Sequence, residues 1–151
     1  MDTVTYPDPR VADFIEQDCV PVRVAVKDNP ELVDEYLVVW TPNVVIADGR
    51  GRVHYRVAGF LPPEEFVARL SIGTGKFLLN GKRFDEAAAR FEGVAVRHPG
   101  TLPAAEALYW LGVARYKESH DPAELRPAWD RLAREFPDSE WATRTKIPGK
   151  K

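Results

Sequence analysis

Pro30-Glu31-Leu32-Val33-Asp34-Glu35-Tyr36, Trp40-Thr41-Pro42-Asn43-Val44-Val45-Ile46, Asp48-Gly49-Arg50-Gly51 and Leu61-Pro62-Pro63-Glu64-Glu65-Phe66 follow one another within residues 30–66, and their order decides the fold. Asn29-Pro30 joins a capping side chain to a proline at the first helical position, which predicts a helix through about Tyr36. From Asn43 to Ala47 the chain is apolar after its first residue, the pattern of a strand covered on both faces. The glycines of Asp48-Gly49-Arg50-Gly51 supply a hairpin turn. Arg52 to Ala58 alternates Val53, Tyr55 and Val57 with Arg52, His54 and Arg56, a second strand whose polar row is expected on the exposed side of a sheet edge.

Toward the N-terminus, Asp8-Pro9 repeats the cap-and-proline device, and Val11, Phe14 and Ile15 share one face of a helix ending near Asp18. Pro21 to Val26 sets Val22, Val24 and Val26 against Arg23, Ala25 and Lys27, which predicts another short strand. From Pro62 onward the period is helical. One nearly continuous helix is expected over 64–80, stopped by Asn80-Gly81, with Gly73 and Gly75 permitting close helix contact. Further helices are expected from Phe84 to His98-Pro99-Gly100, from Pro103 to Glu118, from Asp121-Pro122 to Phe136-Pro137, and briefly over Ser139 to Arg144.

The helices repeat. Phe91 and Pro99 recur as Trp129 and Pro137, each pair eight residues apart and offset by 38, while Gly75 and Gly112 are offset by 37. Small residues in a first helix, an aromatic in the second and a closing proline, at a period near ~34, resemble the tetratricopeptide repeat over about residues 70–144. Leu125 stands where that repeat usually has alanine, and Arg115 where tyrosine is common. Each helix pair buries an apolar face only against a neighbour, so two pairs are expected to lean on what precedes them, with Trp141 capping the far end.

Residues 30–66 resemble the second half of a thioredoxin domain. The resemblance implies that Pro42 is the cis proline beside that family's active site and that Thr41 presents its backbone to an extended peptide. Trp40 is either a groove wall or a core residue. The family's Cys-x-x-Cys pair lies upstream of such a segment, and this chain has only Cys19. The strand leading into that pair would lie between those at 22–26 and 44–47, which are therefore expected to close up, stay exposed or accept a strand from a partner. Residues 2–8 resemble the stretch just after the cysteine pair. Met1 is accordingly expected to be internal to a longer frame, with a mis-assigned start or truncated gene ranked ahead of a degenerate, non-catalytic module. The expected fold class is α/β plus all-α. It comprises a truncated thioredoxin-like domain with an incomplete sheet over 1–69, two tetratricopeptide-like hairpins with a short capping helix over 70–144, and a frayed tail at 145–151.

Composition narrows the chemistry. The 151 residues are 44% hydrophobic and 29% charged, with a formal net charge of −2, so no basic field points to nucleic acid or an anionic membrane. No apolar run approaches the ~20 residues that span a bilayer, and Met1-Asp2-Thr3 is no signal peptide. One cysteine forms no internal disulfide, which agrees with a reducing, cytoplasmic compartment. Cys19 follows Glu16 and Asp18 at a helix C-terminus, the unfavourable end for a thiolate, and is expected to be a small buried hydrophobe. His54, His98 and His120 are scattered without a second ligand at metal-site spacing, and no catalytic, cofactor or metal residue is assigned.

Two functional classes remain. The first is a non-catalytic interaction or scaffold module for a protein or peptide partner, with Trp40, Thr41 and Pro42 as a peptide groove by resemblance and Tyr109, Arg115 and Tyr116 as a repeat surface. Self-association, or strand donation completing the open sheet, belongs to this class. The alternative is a thioredoxin-family thiol–disulfide oxidoreductase, active in cell redox homeostasis, whose Cys-x-x-Cys lies upstream of Met1. The first is the reading taken for the chain as it stands.

Overall fold

The computed structural model describes residues 1–146. Among these residues it holds seven α-helices and one two-stranded antiparallel sheet. Helices α1 (Pro9–Asp18) and α2 (Pro30–Glu35) precede strands β1 (Asn43–Ala47) and β2 (Val53–Ala58). Then come α3 (Pro63–Asn80), α4 (Phe84–Arg97), α5 (Leu102–Ser119), α6 (Arg126–Glu135) and α7 (Glu140–Thr145). Thr145 closes α7, and 147–151 of the expected tail lie outside the described residues. No described helix is long and apolar enough to cross a membrane.

The chain divides into two compact units. An N-terminal unit comprises Met1–Val45 and Arg56–Val67, and a helical unit comprises Ile46–Tyr55 together with the chain from Ala68. The expected boundary after residue 69 and the division after Val67 both fall inside α3, while residues 46–55 of the hairpin belong with the helices. The reason is packing within the helical unit: α3 offers Gly73, where an added Cβ would lie 2.8 Å from Ile46 and 3.0 Å from Tyr55.

In the N-terminal unit, the Asp8 carboxylate accepts from the Arg10 N–H at 2.9 Å and Pro9 opens α1, which buries Val11 and Phe14. Phe66 and Leu61 complete this small interior; the Thr5 hydroxyl donates to the Leu61 carbonyl at 2.6 Å, and Tyr6 meets Phe66 edge-on. The strand expected at Pro21–Val26 does not form. Residues 20–25 join no strand ladder, and the Ala25 carbonyl instead accepts from the Asp28 N–H at 3.1 Å and the Asn29 amide at 2.9 Å; a 3-10 turn follows at Val26–Asp28, and Val22 is 81% exposed. Alternating valines fit a pleated surface, but a strand needs a ladder, and among the described residues neither β1 nor β2 supplies one. β1 likewise is half-buried rather than covered on both faces.

The helical unit is organised around α5, which packs along α4, α6 and α7. Thr101 caps α5, and Ala104, Ala105, Ala107, Leu108, Leu111 and Ala114 are buried in it. The two helix pairs share one device. A Cβ on Gly75 would come within 2.6 Å of the Phe91 ring, and one on Gly112 within 2.7 Å of the Trp129 indole. Each pair therefore closes by seating an aromatic of its second helix on a glycine of its first. The fourth expected helix is split, a 3-10 turn over Pro122–Leu125 leading into α6. At the end of α3 the left-handed residue is Lys82 (φ 61°), not Gly81, with the Arg83 N–H returning to the Leu78 carbonyl.

Candidate functional site

In the N-terminal unit the peptide following α2 turns through Leu37 (φ 50°) and arrives at Trp40-Thr41-Pro42. The Thr41–Pro42 bond is cis. Trp40 is 69% exposed, which excludes the core alternative for its side chain; Thr41 is exposed and Pro42 half-buried. The Pro42 carbonyl accepts from the Gly59 N–H at 2.8 Å, so Pro42 is fixed to the chain leaving β2. The same unit also exposes Val20, Val22, Val39 (93%) and Phe60. Cys19 is half-buried at the C-cap of α1, its N–H bonded to the Ile15 carbonyl.

The three residues of the expected repeat surface all stand on α5. Tyr109 stacks on Trp129 with ring centroids 5.5 Å apart and also meets Trp110 and Trp141, an aromatic cluster on α5, α6 and α7. The Trp129 indole N–H donates to the Tyr109 carbonyl at 3.1 Å. Arg115 is exposed, pairs with Asp85 at 3.3 Å, and borders a cleft of about 210 Å³ shared with Glu92, Glu124 and Arg131. Arg131 is itself held by Glu92 and Glu135. Tyr116 is half-buried farther along α5.

The polar row of β2 is also corrected. The His54 side chain is 4% exposed, packed edge-on against Phe77. Its Nε2 lies 3.2 Å from Asp48 Oδ2, and the Asn80 amide donates to its Nδ1 at 2.9 Å. Asp48 also accepts from the Arg50 and Arg52 N–H groups, which hold its carboxyl below the usual carboxylate range. Asp48–His54–Asn80 ties the hairpin turn to the end of α3 and places no hydroxyl or thiol on the imidazole.

The most perturbed cluster of the helical unit was not foreseen. Glu106 of α5 is 5% exposed. The Tyr55 hydroxyl donates to its Oε2 at 3.4 Å, and Arg69 Nη1 lies 3.8 Å from the same oxygen. The Lys76 ammonium lies 4.3 Å from the centroid of Trp110 and 5.4 Å from that of Tyr55. Burial pushes the Glu106 carboxyl up, against the pull of Lys76 and then of Arg69. Burial and the Glu106 charge push the Tyr55 phenol up to about 12, and burial pushes the Lys76 ammonium down. The Trp110 indole N–H is buried without an acceptor in hydrogen-bonding geometry, and it helps to hold the Glu106 carboxyl down. In the sequence, Glu106 stands within Pro103-Ala104-Ala105-Glu106-Ala107-Leu108, and an acid inside so apolar a run is the signal that could have found it.

Chemically, the cluster can hold a cation between ring faces and a carboxylate. The segment around Trp40 can offer exposed apolar side chains. Comparison with protein-family models, with curated proteins and with solved structures found no match to this chain.

Proposed function

We propose that this chain works by binding a protein or peptide, as an interaction or scaffold module built from a thioredoxin-like remnant and two tetratricopeptide-like helix pairs. The carrying observation is the extended run Val20–Ala25, whose valines stand open to solvent and whose backbone joins no sheet ladder. Unpaired N–H and C=O groups flanked by alternating apolar side chains are what an added strand uses, the backbone giving affinity and the side chains register. Exposed Trp40, beside Thr41 and Pro42, extends the apolar surface of the same unit. The fold reading is supported by the order of helix, extended segment, helix, hairpin and helix, and by the recurring glycine-to-aromatic contacts at Gly75–Phe91 and Gly112–Trp129.

The test is a photo-reactive side chain placed at Arg23, with products mapped by mass spectrometry. The expected product links residue 23 to an extended segment of a partner, and the pair Val22→Lys and Val24→Lys abolishes it while the helical unit stays folded. A complex that forms equally well with both substitutions contradicts the proposal.

A further inference from the structure

We propose that Tyr55, Glu106 and Trp110 form a binding site for an alkylammonium group, filled in this chain by its own Lys76 and open to a partner's lysine side chain when Lys76 is withdrawn. This site lies wholly within the helical unit and is independent of the strand-binding segment.

The chemistry of the occupant is on display. The Lys76 ammonium sits over the face of Trp110 at 4.3 Å and near that of Tyr55 at 5.4 Å. Aromatic faces carry the negative part of the ring quadrupole, so two of them turned toward one point select a cation. The counter-charge is Glu106, 5% exposed, on which Lys76 exerts the strongest pull of its neighbours. The Tyr55 hydroxyl fixes that carboxylate from the β2 side at 3.4 Å.

Every other charge facing the cluster has a place of its own. Arg69 of α3 reaches Glu106 at 3.8 Å from the same helix as Lys76. Arg144 of α7 lies over Trp141 at 4.5 Å and pairs with Glu140 at 3.0 Å. Lys76 alone occupies the space between the two rings. Its hold is through ring faces and a shared carboxylate, and burial opposes its charge. An ammonium on a flexible four-carbon stem fits this geometry better than a planar guanidinium with five donors to satisfy. Self-occupation makes Lys76 an autoinhibitory contact: removing its charge leaves two ring faces without their cation and Arg69 as the remaining cation at the buried carboxylate.

Chemical rescue decides the matter. In the full chain, Lys76→Ala should lower the thermal midpoint, and n-butylammonium should restore it saturably, while n-butanol or sodium chloride at equal concentration should not. N-acetyl-lysine methylamide should act as n-butylammonium does. Wild type and the double variant Lys76→Ala with Glu106→Gln should not respond. Equal responses to n-butylammonium and n-butanol, or an equal response from wild type, overturn the proposal. A second measurement needs no variant: in the proton NMR spectrum of the native chain the Lys76 side-chain methylene next to the ammonium should resonate upfield of that of exposed Lys117, because it lies over an aromatic face. Coincident methylene shifts for Lys76 and Lys117 overturn the site.

Discussion

In the helical unit Phe91, Leu108 and Leu132 are fully buried, whereas in the N-terminal unit Val20, Val22, Val39 and Trp40 lie open to solvent. The two draw on similar side chains, so composition does not explain the difference. Partners do. α5 packs against α4, α6 and α7, and glycines at 75 and 112 bring the aromatics to contact distance. In the N-terminal unit α1 finds a covering in Leu61 and Phe66, but the run after Cys19 finds no strand to pair with. Apolar residues are buried only where a second element is present to bury them.

The sharpest way to break this contrast is to cut into the packed side. Phe91→Ala removes a fully buried ring seated on Gly75 and should cost about 3–5 kcal/mol, read as a fall in the urea midpoint. A loss below ~1 kcal/mol would place Phe91 on a surface that collapses freely.

Next in size is the polar edge of the same unit. Tyr55 has a folded pKa of about 12, above the ordinary value of 10.0, so its contribution is intact below pH 10 and is lost as pH rises through 12. Two pH units correspond to about 2–3 kcal/mol. Between pH 9 and 12 wild type should therefore lose that much more stability than Tyr55→Phe, measured by denaturant unfolding at each pH. Parallel pH curves for the two chains would remove Tyr55 from the buried cluster.

A smaller effect has the opposite sign. Lys82 adopts φ 61° after α3, a conformation costing a non-glycine residue roughly 1 kcal/mol. Lys82→Gly should raise the thermal midpoint by a few degrees, and an unchanged or lowered midpoint would contradict the helix ending drawn here. The smallest effect belongs to the open side: Val22→Ala should change stability by less than about 0.5 kcal/mol in the isolated chain. A loss comparable to that of Phe91→Ala would show that the two units do not differ as described.

Local signals were legible in the sequence. Asp8-Pro9, Asp121-Pro122 and Ser139 mark helix starts because a cap acts on its own first turn. The Gly75–Phe91 and Gly112–Trp129 correspondences were legible as a repeat, and each is a physical contact. What could not be read depends on contacts far along the chain. The valines at 22, 24 and 26 have the period of a strand, but pairing is decided by a neighbour the period does not name. His54 looked like an exposed member of a polar row until Asp48, Phe77 and Asn80 closed around it. Glu106 is buried because Tyr55 and Arg69, 51 and 37 positions away, converge on it.

Hydrogen exchange resolved to single amides tests the contrast between the units most directly. In the isolated chain the amides of Val22, Arg23 and Val24 should exchange at close to unfolded-chain rates, while those of Phe91, Val94, Leu108 and Leu111 should be strongly protected. Protection at Val22–Val24 matching that of the α5 core would mean that the run is already paired, contradicting the open edge on which partner binding rests.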